Sequence, residues 1–322
     1  MHDILTRKVK DMKLDDINLT SLMEKMEDAG GFSAKNLARA VSIIEEMKND
    51  KECKRFLSFP AAIVATGLRG LIAQMIELGY FDFIVTTCGT LDHDLAKAYG
   101  GEYYHGSFEM DDTMLHKAGI NRLGNILIPN ESYGIILEKN IQPVLKELIK
   151  TKNEWSGREL VHEFGKGLKD ENSILYQASK KNIPIYVPGI TDGAFGTNLL
   201  WFSQNNNFKL NVLQDEKELS DIGFTSKKTG ALIVGGGISK HHVLWWSQYK
   251  GGLDYAVYIT TATQYDGSLS GARTQEAISW GKVNENSKHV TVDGDATMLL
   301  PIIFATLYEK HVMKEIYDKT RF

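Results

Sequence analysis

The chain has 322 residues, enough for one large α/β domain or for two smaller ones. Lysines and arginines number 37 against 41 aspartates and glutamates, and no basic block occurs, so a nucleic-acid partner is not expected. Two cysteines are too few for a disulfide framework, the charged start lacks the apolar core of a signal peptide, and no apolar run is long enough to span a membrane. We therefore expect a soluble, cytoplasmic protein.

Residues 1–58 are predicted to form a helical extension. Asn18 offers an N-cap before LMEKMEDAG, and Ser33 offers one before AKNLARAVSIIEEMKND. This segment contains no cluster of residue types that would suggest a site. We expect it to pack on the following domain, with contact to a second copy as the alternative.

From residue 59 onward, short apolar segments alternate with helical ones, which is typical of a parallel sheet covered by helices on both faces. We predict one doubly wound, mostly parallel, Rossmann-like α/β domain over residues 59–322. The predicted helices include 134–150, 157–181 and 239–250. The predicted strands are 81–87, 125–129, 183–187, 231–235, 255–260 and 289–293.

Polar and glycine-rich segments follow five of these strands. They are CGTLDHD, PGITDGAFGT, GGGISKHH, TTATQYDGS and DGDAT. In an open parallel sheet they all fall at the carboxyl edge, where ligands bind, so we predict one site formed by five loops. Glycines and helix N-termini there suit the phosphates of a dinucleotide. For any single Asp or Thr, helix capping is an equally good explanation.

Lys282 follows directly on a short predicted helix, ARTQEAISW, that ends at Gly281. Glu276 and Trp280 lie four residues apart and share one face of that helix. An amine beside an indole and a carboxylate suits Schiff-base chemistry or capture of a cationic ligand, whereas a surface lysine at a helix end is the plain alternative. His241 and His242 would need further ligands to bind a metal, and none is expected.

Five motifs together carry a resemblance. They are TTCGTLDHD at 86–94, NRLGNILIPNESY at 121–133, TDGAFG at 191–196, GGGISKHH at 235–242 and DYAVYITTATQYDGSLSGARTQEAISWGK at 254–282. Over roughly residues 59–307 the sequence resembles deoxyhypusine synthases. The resemblance implies an NAD-dependent transferase that moves the aminobutyl group of spermidine to one lysine of the hypusine-bearing translation factor. It also implies a homotetramer in which subunits share the active sites.

The same resemblance assigns roles to single residues. Lys282 matches the lysine that forms the enzyme imine, and His241 matches the proton-transfer residue. Positions around the polyamine are matched by Asp266, Gly267, Ser268, Glu276 and Trp280, to which we add Asp92 as a counter-ion and Tyr258 as an aromatic face. NAD-contacting positions are matched by Thr87, Cys88, Gly89, Asp192, Gly236, Thr261, Ala262, Asp295 and Ala296.

The chain departs from the eukaryotic members of the family at several positions. They carry acids where this sequence has His93, Thr197 and Leu269, and asparagine where it has Ala62. Fewer carboxylates weaken the grip on cationic amine groups, so the preferred amine stays open. The TTCGTLDHD and YDGSLSGAR variants resemble the archaeal members.

The implied mechanism requires a neutral Lys282, so we expect a dry, acid-lined cavity in which burial against Trp280 lowers its pKa from about 10.4. His241 is expected to accept the proton that is released. Two alternatives remain open. One is a homospermidine synthase-like enzyme that passes the aminobutyl group to a free diamine, and the other is a non-catalytic NAD-binding homologue with the same fold.

Overall fold

The computed structural model describes the backbone of residues 7–320 and the side chains of residues 7–312. The helices are α1 (Leu19–Ala29), α2 (Phe32–Asn49), α3 (Ala62–Ala65), α4 (Leu68–Glu77), α5 (Cys88–Ala98), α6 (Asp112–Lys117), α7 (Gly134–Leu148), α8 (Gly157–Lys166), α9 (Ile174–Lys180), α10 (Ala194–Asn205), α11 (Val212–Thr225), α12 (Gly237–Ser247), α13 (Thr274–Ser279) and α14 (Ala296–Thr320). The strands are β1 (Cys53–Ser58), β2 (Phe83–Val85), β3 (Tyr104–His105), β4 (Ile120–Leu123), β5 (Ile126–Pro129), β6 (Glu154–Trp155), β7 (Ile185–Tyr186), β8 (Lys209–Leu210), β9 (Lys228–Val234), β10 (Leu253–Thr260) and β11 (Val283–Asp293).

The central sheet has the strand order β11-β10-β9-β1-β2-β7, and every neighbouring pair in it is parallel. The chain begins in the middle with β1, adds β2 and β7 on one side, and then returns to add β9, β10 and β11 on the other side. This is the strand order of the Rossmann fold. The predicted doubly wound, parallel architecture is confirmed, and its topological switch point lies between β1 and β9.

Helices cover both faces of the sheet because alternate residues of each strand face opposite cores. Leu57, Leu232 and Val257 belong to the larger core, which is filled by side chains of α2, α4, α5 and α14. Phe56, Ile233 and Tyr258 belong to the smaller core, which lies beneath α11, α12 and α13. Burial on both faces explains why β9 and β10 are almost continuously apolar.

The prediction for the first 58 residues is wrong at its end, because residues 53–58 form a central strand of the sheet and not part of a helical extension. Lys54 and Arg55 interrupt the apolar run of this strand, so the sequence does not show the continuous apolar pattern of a buried strand. Helix α2 also packs against β10 and β11. The predicted cap at Asn18 is confirmed by a capping box with Ser21, whereas α2 starts after Gly31, so the predicted cap at Ser33 is wrong.

Two further predictions need correction. The segment 125–129 does contain a strand, but β5 pairs antiparallel with β3 and β4 in a separate small sheet. The predicted helix 157–181 is two helices, because α8 ends at Lys166 and Ser173 caps a new helix. The helices predicted at 134–150 and 239–250 are present, and the other five predicted strands lie in the central sheet.

Within residues 7–320, no helix combines the length and the apolar character that crossing a bilayer requires.

Candidate active site

The five polar segments that follow β2, β7, β9, β10 and β11 lie at one edge of the sheet, as predicted, because all these strands run parallel. They do not form one pocket within a single chain. Neighbouring strands are about 4.8 Å apart, so the ends of β10 and β7, four strands away from each other, are separated by roughly 19 Å. The predicted site residues therefore divide into a group near Lys282 and a group near Asp92.

Lys282 lines a cavity of about 250 Å³ between α12, α13 and the loop before α13. Gly281 adopts a left-handed conformation, with φ of 66°, and ends α13, so that Lys282 leaves the helix beside Trp280. The Lys282 Nζ lies 5.3 Å from the centroid of the Trp280 ring. The cavity is lined by Lys240, Leu244, Tyr258, Gly267, Ser268, Leu269, Ala272, Arg273, Glu276, Ala277, Trp280 and Lys282.

This cavity differs from the dry, acid-lined one that we predicted. Lys282 is only half-buried, and Trp280 keeps 67% of its surface exposed. Among the described residues that line the cavity, Glu276 is the single carboxylate. The physical reason is that the indole of Trp280 faces outward and does not cover Lys282.

A buried lysine holds the loop that covers the cavity, residues 266–272. Lys240 is 1% exposed, and its Nζ donates hydrogen bonds of 2.8 Å to the carbonyl oxygens of Leu269 and Ala272. The same Nζ lies 4.2 Å from the centroid of the Tyr258 ring. These partners offset the cost of burying an ammonium group. Burial nevertheless lowers the pKa of Lys240 to about 8.

The covering loop contains three of the predicted substrate residues. Gly267 and Ser268 line the cavity, and Gly267 adopts the left-handed conformation, with φ of 70°. Asp266 is exposed and accepts a hydrogen bond from the Ser268 N–H at 2.7 Å, so its carboxylate stabilises the loop, and hydrogen bonds from Ser268 lower its pKa. The hydroxyl of Tyr258 is buried in the cavity wall without a hydrogen-bond partner in the described part of the chain.

The two adjacent histidines of α12 have different surroundings. The ring of His241 stacks on Trp245 at a centroid distance of 5.7 Å and is half-buried. Burial, and then the charges of Lys282 and His242, lower the pKa of His241. His242 instead lies 3.1 Å from the Glu216 carboxylate on α11. The charge of Lys282 therefore acts on His241, the histidine to which the resemblance assigns proton transfer.

The carboxyl edge fits a phosphate-bearing cofactor. Helices α5 and α12 begin there on either side of β1, and no side chain caps the first N–H groups of either helix. Gly235 and Gly237 have positive φ, which opens the turn before α12. The hydroxyl of Ser58, the last residue of β1, is fully buried without a partner among the described residues. Free N–H groups at a switch point are suited to a dinucleotide pyrophosphate.

The residues predicted to bind NAD occupy this edge, but several have structural contacts. The Thr87 hydroxyl accepts a hydrogen bond from the Ala61 N–H, and a Cβ on Gly89 would lie 2.8 Å from the Ala61 side chain. The Cys88 thiol donates to the Ile190 carbonyl, and burial raises its pKa to about 12. Asp295 caps α14 by accepting a hydrogen bond from the Thr297 N–H. Asp192, Thr261, Ala262, Ala296 and Gly236 lie at the open edge.

Asp92, which we predicted as a counter-ion, does not line the Lys282 cavity within the chain. It is 1% exposed and accepts hydrogen bonds from the N–H groups of Ala194 and Phe195, at the start of α10, and from the Tyr133 hydroxyl. Burial raises the pKa of Asp92. Sequence spacing could not reveal this role, because Asp92 and α10 are far apart in the chain.

Six cavity residues were not assigned from the sequence: Lys240, Leu244, Leu269, Ala272, Arg273 and Ala277. A signal for Lys240 was present, since it precedes the buried residues Val243 and Leu244 by three and four positions and so shares their inward face. Among the described residues, no group of three or more His, Cys, Asp or Glu side chains could hold a metal ion.

Comparison with known proteins places this geometry in a family. The family model described as deoxyhypusine synthase matches residues 21–307, and so begins well before residue 59. A protein of Sulfurisphaera tokodaii named "Probable deoxyhypusine synthase" is 51% identical over 95% of this chain and 98% of its own length. One of the same name from Ignicoccus hospitalis is 53% identical over 96% of this chain and 98% of its own.

A solved structure shares the fold. The crystal structure of an Entamoeba histolytica protein described as "a putative deoxyhypusine synthase" superposes with a TM-score of 0.64, at 22% identity, over 92% of this chain and 96% of that one. The near-full-length relatives confirm the predicted enzyme class. The chain belongs to the deoxyhypusine synthase family.

Proposed function

We propose that this chain is an NAD-dependent transferase that moves the aminobutyl group of spermidine to one lysine of the hypusine-bearing translation factor. We place the reaction in the cytoplasm, where the free thiols of Cys53 and Cys88 persist. The observation that carries the proposal is that Lys282 lines one cavity together with Glu276 and Trp280, beside the helix that bears His241.

Each of these side chains has a physical role. The Lys282 amine, when neutral, attacks the carbon of the oxidised amine, the carbon–nitrogen bond to the departing diamine breaks, and the aminobutyl group stays on Lys282 as an imine. The acceptor lysine then displaces Lys282 from the same carbon. Because its pKa is lowered, His241 is largely neutral at pH 7 and can accept a proton. Glu276 and the ring of Trp280 attract the cationic end of the amine.

The bound NAD would accept a hydride from the carbon next to the amine nitrogen and would return it after transfer, so that the imine on the acceptor lysine becomes a secondary amine. The free N–H groups of α5 and α12 and the glycines before α12 would hold its phosphates. The buried hydroxyl of Ser58 offers a hydrogen bond at the floor of that crevice. These are contacts to the cofactor body and not to the reacting carbon.

We further propose that two copies complete each site within a homotetramer. The carboxyl ends of β10 and β7 are separated by roughly 19 Å in one chain, and Asp92 does not line the Lys282 cavity. Trp280, Ile238 and Trp245 expose large apolar surfaces beside the cavity. A second copy that covers them would exclude water from Lys282, which the imine chemistry requires.

The test is incubation with NAD and spermidine, with and without the translation factor, followed by borohydride reduction and mass measurement of both proteins. The wild-type chain is expected to gain one aminobutyl group on Lys282 and to pass it to the factor. Lys282→Ala should bind NAD normally and gain no adduct, whereas Lys217→Ala, at an exposed lysine of α11, should behave as wild type. An adduct on Lys282→Ala would refute the proposal.

The same experiment separates the alternatives. Transfer to added putrescine but not to the factor would identify a polyamine aminobutyltransferase. NAD binding without amine-dependent NADH formation would identify a non-catalytic homologue.

A further inference from the structure

One carboxylate on α11 contacts two successive turns of α12. The Oε1 atom of Glu216 lies 3.1 Å from the Nε2 atom of His242, and its Oε2 atom accepts a hydrogen bond of 3.0 Å from the indole N–H of Trp246. His242 and Trp246 are four residues apart and therefore lie one above the other on the helix. Glu216 thus restrains α12 against rotation about its own axis.

The ring of His242 is also held from its other side. Its Nδ1 atom lies 3.2 Å from the carbonyl oxygen of Ile238, in the first turn of α12. With contacts at both nitrogens, this ring stays directed toward α11 and cannot take the place of its neighbour near Lys282.

His241 has no such support of its own. No hydrogen bond to the His241 ring exists among the described residues, and the ring is held by stacking on Trp245. His241 and Trp245 each precede one of the two residues that Glu216 contacts. The direction of the His241 ring therefore follows the rotational setting of α12.

The start of α12 does little to fix the rotation of the helix. Its N-cap is Gly236, no side chain caps it, and the flanking Gly235 and Gly237 both have positive φ. Lys240 anchors the helix on the cavity side. Glu216 anchors it on the opposite side, so the two contacts together define one rotational position of α12.

We propose that Glu216 is a positioning residue that fixes the rotation of α12 and thereby directs His241 toward Lys282. The catalytic part of this inference rests on the proposed function. Glu216 does not line the cavity, so its effect on the reaction is indirect and acts through His242 and Trp246.

The test compares Glu216→Ala and Glu216→Gln with Asp221→Ala, which removes an exposed carboxylate from the same helix. Glu216→Ala is expected to slow amine-dependent NADH formation about tenfold at saturating NAD and spermidine, with both KM values within about twofold of wild type. Glu216→Gln should recover to within about threefold, because its amide can accept from Trp246 and also hydrogen-bond to the His242 ring. Asp221→Ala should match wild type.

A spectroscopic readout on the folded protein accompanies the kinetics. The chain has five tryptophans, so 5-fluorotryptophan labelling gives few ¹⁹F signals, which Trp→Phe variants assign. Glu216→Ala should shift the signals of both Trp246 and Trp245, since the second follows the helix. A shift of Trp246 alone at an unchanged rate would overturn the proposal. Equal losses in the Ala and Gln variants with altered KM would also overturn it, as they indicate a merely structural role.

The proposed function and this inference can fail separately. If the wild-type chain forms no NADH with spermidine, the proposed function fails. The ¹⁹F signal of Trp245 then decides by itself whether Glu216 fixes the rotation of α12.

Discussion

His93 is a buried, neutral histidine in an aromatic setting. It is 8% exposed, its Nδ1 atom lies 2.8 Å from the Tyr103 hydroxyl, and its ring centroid lies 5.3 Å from that of Tyr133. Burial, reinforced by the charge of Lys97, lowers the pKa of His93 to about 4. Near neutral pH, His93 therefore adds no charge to the site.

This burial predicts a stability loss in acid. Between pH 6.5 and 4 the unfolded chain binds a proton at His93 and the folded chain does not, so the free energy of unfolding rises with pH in this window and falls on acidification. Across it, wild type should lose about 2–3 kcal/mol more than His93→Gln, measured by urea unfolding at several pH values. His105→Gln, at an exposed histidine, is the control. Parallel curves for wild type and His93→Gln would contradict the assignment.

At the scale of elements, the start of α12 depends on how closely it approaches the covering loop. A Cβ on Gly236 would lie 2.5 Å from the Cα of Ser270, which is backbone and cannot move aside alone. A Cβ on Gly237 would meet nothing within 4 Å, although its φ of 71° strains any other residue. Two adjacent glycines are thus required for different reasons, one for contact and one for conformation.

These glycines make a matched pair for a prediction. Gly237→Ala should cost roughly 1–2 kcal/mol of unfolding free energy through backbone strain and leave the loop in place. Gly236→Ala should separate α12 from the covering loop, lower stability by about 3 kcal/mol or more and abolish amine binding. Denaturant unfolding and calorimetric titration with spermidine measure both effects. Equal behaviour of the two variants would show that the close approach to Ser270 is unimportant.

The sequence was most informative where an element carries its own signal. Strands β9 and β10 were predictable because both of their faces are apolar, and Lys282, Trp280 and Glu276 because they share one short helix. The sequence does not reveal strand β1, because Lys54 and Arg55 lie at its start. The pattern assigns β5 to the wrong sheet, because the pairing of a strand depends on contacts with other segments and not on its own residues. The capping of α10 by Asp92 and the contacts of Lys240 and Glu216 join distant segments, which no local pattern records.

At the scale of the whole molecule, the two groups of site residues lie on opposite halves of the doubly wound sheet. The Lys282 group lies in the segment from α12 to the start of β11, and the Asp92 group follows β2 and β7. In the homotetramer that we propose, each site combines the second half of one copy with the first half of another. Such an arrangement makes activity a property of the assembly.

Subunit mixing can detect this arrangement. Lys282→Ala and Asp192→Arg damage different groups, so each alone should be inactive, whereas co-expression should restore up to about a quarter of the wild-type rate in mixed assemblies. Lys282→Ala with Trp280→Ala damages one group twice and should restore nothing beyond the activity of Trp280→Ala. No restoration in the first mixture would contradict shared sites. Full activity of Asp192→Arg alone would contradict the cofactor role given to its loop.

The central place of β1 has a consequence for biosynthesis. This strand finds β2 soon after it leaves the ribosome, but its other neighbour begins at Lys228. At ordinary elongation rates, on the order of ten seconds or more pass before that neighbour is made. During this interval the nascent chain exposes an unpaired, apolar sheet edge in what will become its most protected layer. We therefore expect chaperones to bind the incomplete chain, and to be needed only until β9 has left the ribosome and can pair with β1.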